Sequence, residues 1–260
     1  MGWTGFKKAL DRAGTQVMMK VGQVDKTVDR EFETQERRYR QMETAAGQLQ
    51  KNAKGYLDSL RALTSAQLKI AETIDVFYGD AGQRDNLSKQ YLTTVAEIDA
   101  QTIKQLDEPY RVTVLEPITR FNTYFTETNA AITKRAHKLL DYDKYRAKTR
   151  KLTDKPASDA SKLPAAQREE QMAREIYEEL NDQLCSELPQ LIDVRVPYLD
   201  PSFEALVNIQ LQFCTESYSR LAELQQHMDP SVRDEYSSGA LDVKIEQAIQ
   251  SMRELTIATM

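Results

Sequence analysis

VDREFETQERRYRQMETAAGQLQKNAKGYLDSLRALTSAQLKIAETIDVF, residues Val28–Phe77, carries the pattern that decides the fold. One seam reads Val28, Gln35, Met42, Leu49, Tyr56, Leu63, Ile70, Phe77, and its companion reads Phe32, Tyr39, Ala46, Ala53, Leu60, Gln67, Ile74. Only Gln35 and Gln67 break the apolar series. Alternating steps of four and three keep one stripe turned toward a partner helix in left-handed coiled-coil packing. No proline interrupts the run, so the spacing predicts one helix of about 50 residues and roughly 80 Å. Gly79-Asp80-Ala81-Gly82 ends it.

Two further long patterns follow. Tyr91, Val95, Ile98, Leu106, Ile118, Phe121, Phe125, Ile132 and Leu139 mark the buried side of a second helix that Pro109 and Pro117 should bend. A loop rich in Pro, Ser, Asp and Lys occupies Thr153–Pro164. The third pattern runs through Met172, Ile176, Leu180, Leu184, Leu188, Leu191, Val207, Leu211, Cys214, Tyr218 and Leu221, with Pro189, Pro197 and Pro201 inside it. Asp229-Pro230 closes it, and a short amphipathic helix with Leu241, Ile245, Ile249 and Met252 on one side should follow. The expected fold is all-α: an elongated antiparallel three-helix coiled coil with proline-kinked helices at about 24–78, 85–152 and 165–228. A three-helix rod leaves an apolar stripe uncovered, so dimerisation into a crescent is expected.

Composition narrows the function. Nine Gly and eight Pro are too few for a turn-rich β fold, and no stretch is long and apolar enough to span a bilayer. Asp11 and Arg12 break any secretory h-region, and Phe6 stands where a myristoylation signal wants Ser or Thr. Cys185 and Cys214, on one continuous helix, would lie roughly 40 Å apart, beyond disulfide reach. Catalytic constellations are missing: the sequence has no Gly-rich phosphate loop, no G-x-S-x-G elbow and no C-x-x-C. His137 and His227 lack the Glu three residues earlier that di-iron bundles use. No enzyme, cofactor or metal is expected.

Charge is unevenly placed. From Lys134 to Lys155 nine Lys or Arg stand against three Asp, a local net of +6 in a chain whose total is −5. Such polarity points to a directed anionic partner. The candidates are Lys134, Arg135, Lys138, Lys144, Arg146, Lys148, Arg150 and Lys151. The alternative is a solvated face neutralised by Glu169, Glu170, Glu175, Glu178 and Glu179 on the neighbouring helix. At the N-terminus Trp3, Phe6, Leu10, Ala13, Val17 and Val21 recur every three or four residues, with Lys7, Lys8, Arg12 and Lys20 mostly on the other face. That pattern fits an interfacial helix whose apolar side enters a leaflet, or else a terminal turn packed on the bundle. Nucleic acid is not expected, because no aromatic surface interleaves the cations.

These motifs resemble a known family. Trp3-x-x-Phe6-Lys7-Lys8 with Arg12-Ala13-Gly14, Asp25-Lys26-Thr27, Lys138-Leu139-Leu140-Asp141-Tyr142-Asp143 and Glu187-Leu188-Pro189 with Arg195 are similar to amphiphysin-type BAR domains. Within that family they resemble specifically the fungal Rvs-type N-BAR proteins, which lack an SH3 domain. The resemblance implies an N-terminal inserting helix at 1–22, a BAR domain at 23–229 and a helical extension at 230–260. It implies insertion by Trp3, Phe6, Leu10 and Val17, and lipid attraction by Lys7, Lys8, Arg12 and the eight cations above. It implies a cytoplasmic, non-enzymatic scaffold that senses and shapes curvature at plasma-membrane endocytic sites and the actin cortex. The concave face and tips of its dimer would meet anionic phospholipid. Its partner subunit would be an SH3-bearing BAR relative or a second copy, with endocytic and actin-cortex proteins as further partners. A coiled-coil protein scaffold without direct lipid contact is the alternative.

Overall fold

The computed structural model describes residues 3–20, 25, 27–79, 86–101, 105–156 and 158–255, without the side chains of residues 3–8, Met18, Lys20 and Arg233. Every regular element among them is helical. In chain order these are α1 (Trp3–Lys20), α2 (Arg30–Tyr78), α3 (Leu87–Gln101), α4 (Asp107–Tyr110), a π-helical turn (Arg111–Leu115), α5 (Glu116–Asp154), α6 (Lys162–Asp193), α7 (Arg195–Gln226), α8 (Pro230–Ser238) and α9 (Ala240–Arg253). They sort into two compact units. The first joins residues up to Ala53 with Val114–Phe203, and the second joins Lys54–Thr113 with residues from Glu204 onward.

In the first unit the heptad reading holds. Phe32, Tyr39 and Met42 of α2 pack with Phe125 and Ile132 of α5 and with Leu184, Leu188 and Ile192 of α6. Ile118, Phe125, Ile132 and Leu139 follow one another at sevens along α5, and all are buried. Burying such side chains contributes roughly 1.5–3 kcal/mol each. Tyr39, with no exposed surface, meets Phe125 edge-on at 5.9 Å and donates its hydroxyl to Asn129 Oδ1 at 3.1 Å. A buried phenol thereby keeps its hydrogen bond.

The second unit departs from that reading. Its buried α2 residues are Leu57, Leu60, Thr64 and Ala71, joined in the core by Val95, Ile98, Leu106, Tyr110, Ile209 and Leu224. Leu63, Ile70 and Phe77, read as one seam of the same coiled coil, are exposed, Phe77 to 85%. Val207, Leu211 and Tyr218 of α7 are exposed too. Within this unit the apolar repeat is therefore split between a buried side and a solvated one. Asp107 ties the unit together by accepting from Arg61 and from Arg111.

Pro109, Pro117, Pro189, Pro197 and Pro201 all lie within helices. The second long helix, expected as one piece over 85–152, is divided into α3, α4, the π turn and α5. Pro109 has no N–H to donate, and the wider π turn that follows it absorbs the mismatch. Pro117 lies in the first turn of α5, where a missing N–H is harmless. The third helix, expected over 165–228, breaks at Val194, three residues before Pro197. Pro189 and Pro201 stay inside α6 and α7. The first long helix starts at Arg30, not near 24, because Asp29 accepts the Phe32 N–H at 3.0 Å and caps it. After α7 the extension is two helices, separated by Gly239 at φ 75°, a left-handed conformation suited to glycine. α8 is capped by Asp229, which accepts the Ser231 N–H at 2.9 Å.

Candidate membrane-binding surface

The charged residues of α5 divide by chemistry. At 100° per residue, Lys134, Lys138, Lys144, Lys148 and Lys151 fall within an arc of roughly 140° on one side of the helix. Arg135, Arg146 and Arg150 fall on the other. The arginines turn toward carboxylates and carbonyls, where a planar fork makes several directed bonds.

Arg135 is a correction to the sequence reading. It is buried, so it cannot attract lipid. Its Nη2 donates to Asp29 Oδ2 at 3.1 Å, Tyr177 Oη at 3.0 Å and Asn181 Oδ1 at 2.6 Å, and Nε donates to the same Asn181 oxygen at 2.8 Å. The guanidinium lies 3.7 Å from the Phe32 ring centroid. One side chain thus joins the cap of α2 to α5 and α6. Burial alone would raise the Asp29 carboxyl, but the Phe32 N–H, Asn181 and Arg135 outweigh it and hold it below the usual range. Burial pushes the Tyr177 phenol up to about 12, so it stays neutral as a partner.

Arg146 and Arg12 also leave the lipid set. Arg146 reaches Asp143 Oδ1 at 3.0 Å, Thr27 Oγ1 at 2.8 Å and the Asp25 carbonyl at 2.6 Å. Asp143 is wholly buried and accepts the Thr27 hydroxyl at 2.6 Å. Arg12 of α1 makes a two-pronged pair with Asp141, at 2.9 and 2.8 Å, with only 20% of its side chain exposed. That hydrogen bond raises the guanidinium pKa further above its ordinary value.

Lys144, Lys148 and Arg150 form ion pairs with Asp11, Glu169 and Asp25, at 2.9, 2.6 and 2.5 Å. Each pair is largely solvated, where such contacts contribute about 0–1 kcal/mol and break readily. Lys134, Lys138 and Lys151 form no ion pair among the described residues. An open groove beside α1 gathers Arg12, Asn129, Thr133, Lys134, His137 and Lys138. Lys7, Lys8, Trp3 and Phe6 have side chains outside the described residues.

The remaining insertion candidates, Leu10 and Val17, are 64% and 60% exposed. α1 packs on α5, as a terminal segment laid on the bundle would, yet it turns its polar side inward. As anchors, Asp11, Asp25, Asp29, Asp141 and Asp143 escaped the sequence reading, which used Asp25, Asp141 and Asp143 only as motif residues and charge and passed over Asp29. Their signal was local: each falls within four residues of a basic candidate or at a helix start.

The class of protein follows from this architecture and from its relatives. Residues 6–230 match the BAR domain family model, and the chain belongs to that family. It is similar to the protein hob3 of Schizosaccharomyces pombe, 64% identical over 99% of this chain and 98% of that protein. It is likewise similar to the "Regulator of cytoskeleton and endocytosis RVS161" of Candida albicans, 54% identical over 100% of this chain and 99% of that one. The amphiphysin BAR domain from Drosophila shares the fold, with a TM-score of 0.62 at 23% identity over 83% of this chain and 96% of that structure. The chain is an amphiphysin-type BAR protein of the fungal Rvs group, a family of non-enzymatic scaffolds.

Removing Arg135 should expose how much rests on it. Arg135→Met leaves Asp29 without its cation, and unfolding free energy should fall by about 3 kcal/mol in urea titration. Asp29, lowered in the folded state, contributes stability above its unfolded pKa of about 4 that is lost as pH falls through the folded value. The acid-side loss of stability should therefore be shallower in Arg135→Met than in the parent.

Proposed function

We propose that this chain is a membrane-curvature sensing and shaping scaffold that binds anionic phospholipid as a dimer. The observation that carries the reading is the lysine face of α5 lying under an N-terminal helix whose Leu10 and Val17 point outward. Cations near an anionic leaflet contribute on the order of 1 kcal/mol each, enough for reversible, salt-sensitive attachment when several act together. The outward apolar stripe adds insertion into the headgroup layer. Three of the eleven cations and the four insertion positions first considered bear differently on this reading: Arg12, Arg135 and Arg146 are structural, whereas Leu10 and Val17 remain available and Trp3 and Phe6 continue their spacing.

A BAR-type partner fits the second unit. Leu63, Ile70 and Phe77 recur at sevens and stay exposed, as do Val207, Leu211 and Tyr218 of α7. Heptad spacing on a solvated face is what a second coiled-coil helix covers. The partner is an SH3-bearing relative or a second copy. The name of the Candida albicans relative supports work in endocytosis and cytoskeletal organisation, and the proposal locates the chain in the cytoplasm, at plasma-membrane endocytic sites and the actin cortex. A protein-binding scaffold without lipid contact is the second reading, favoured by the pairing of Lys148 with Glu169 and Arg150 with Asp25.

Two experiments test these statements. Replacing Lys134, Lys138 and Lys151 by Ala should weaken co-sedimentation with phosphatidylserine vesicles about a hundredfold at fixed salt, from about 3 kcal/mol per protomer. Unchanged binding would favour the protein scaffold. For assembly, Leu63→Asp with Leu211→Asp should shift the solution mass from dimer to monomer; a dimer that persists would move the interface elsewhere.

A further inference from the structure

The contact between α1 and α5 is polar, and that is unusual for an amphipathic helix resting on a bundle. Asp11, Arg12 and Thr15 share one side of α1, while Leu10, Ala13 and Val17 share the opposite side. Thr15 is buried, and Leu10, Ala13 and Val17 are exposed. A helix docked by the hydrophobic effect alone would turn the other way. Two ion pairs explain the orientation: Arg12 with Asp141, bidentate, and Asp11 with Lys144 at 2.9 Å.

The pairs also place the helix. Asp141 and Lys144 lie within the same arc of α5 as Lys134, Lys138, Lys148 and Lys151. α1 therefore sits on the lysine face, and its apolar side looks outward in the direction those lysines face. Lys134 and Lys138 flank it in the groove they share with Arg12. Insertion and electrostatic attraction are brought to one surface only while α1 keeps this seat.

We infer that Arg12–Asp141 and Asp11–Lys144 form a charge clasp that positions the insertion helix on the lysine face, so that a leaflet meets the apolar stripe and the cations together. The inference rests on the membrane-binding reading above and adds a positioning role to residues that would otherwise count only as charge. Arg12 and Asp141 act through α1, without contacting lipid themselves. The bidentate pair is the stronger half, being more buried and better directed than the solvated Asp11–Lys144 contact.

The clasp and simple charge attraction make opposite predictions for one substitution. Asp141→Arg adds two positive charges per protomer, so attraction alone gives tighter binding and at least equal tubulation. The clasp gives equal or tighter binding to phosphatidylserine vesicles, with tubulation falling at least about fivefold. Hydrogen exchange of α1 amides in the full chain without vesicles reads the seat directly. Exchange should quicken about tenfold or more in Asp141→Arg and in Arg12→Asp, and return toward the parent rate in the double variant that swaps the charges. Far-ultraviolet circular dichroism of each variant verifies that the rest of the helices persist. A parent protein that ignores anionic vesicles sinks the membrane reading. A parent that binds and tubulates, with Asp141→Arg matching it in both exchange and tubulation, overturns the clasp alone.

Discussion

Arg135 sits where three helices of the first unit converge, and its hydrogen bonds decide their registry. A buried guanidinium is tolerated only when its donors are satisfied. Here Asp29, Tyr177 and Asn181 accept from it, and Phe32 offers its ring face. Asp29 also caps α2, so the start of the longest helix and the pairing of α5 with α6 depend on the same carboxylate. Asp143, Thr27 and Arg146 repeat the device two turns further along α5, holding the chain just before α2. Apolar burial supplies most of the stabilisation, but it is non-directional and would permit sliding. The polar network permits one alignment.

That alignment separates two uses of positive charge. Arg135 and Arg146 lie on the inward and lateral side of α5, where their rigid forks bind protein. Lysines, compact and strongly hydrated, occupy the opposite arc, where water and headgroups can reach them. The basic run that dominates the sequence therefore interleaves, at helical spacing, arginines engaged inside the fold with exposed lysines.

Much of the fold was legible beforehand. Heptads over Val28–Phe77 announced α2, and the loop before α6 was marked by its composition. Helix breaks were harder to place, since proline is tolerated in a first turn and in some helix interiors: Pro117 and Pro197 lie in first turns, Pro201 lies inside an intact α7, and the break falls at Val194. The seam through Leu63, Ile70 and Phe77 was visible as apolar, but a repeat does not state which neighbour covers it. The site was half legible. Charge density singled out α5, yet distinguishing Arg135 from Lys134 needs the facing elements, because adjacent positions on a helix point about 100° apart. Asp141 and Asp11 were scored as reductions in net charge, and their directional pairing with Arg12 and Lys144 became evident only in three dimensions.

The most direct test of the account places an environment-sensitive fluorophore on single cysteines at Leu10, Val17, Gln183 and Val243, after replacing Cys185 and Cys214 by Ser. On phosphatidylserine vesicles, the labels at Leu10 and Val17 should shift to the blue and be quenched by acyl-chain quenchers. Labels on α6 and α9 should remain in water. Lipid contact at Val243 with none at Leu10 or Val17, or no contact at any position despite vesicle binding, would contradict the account.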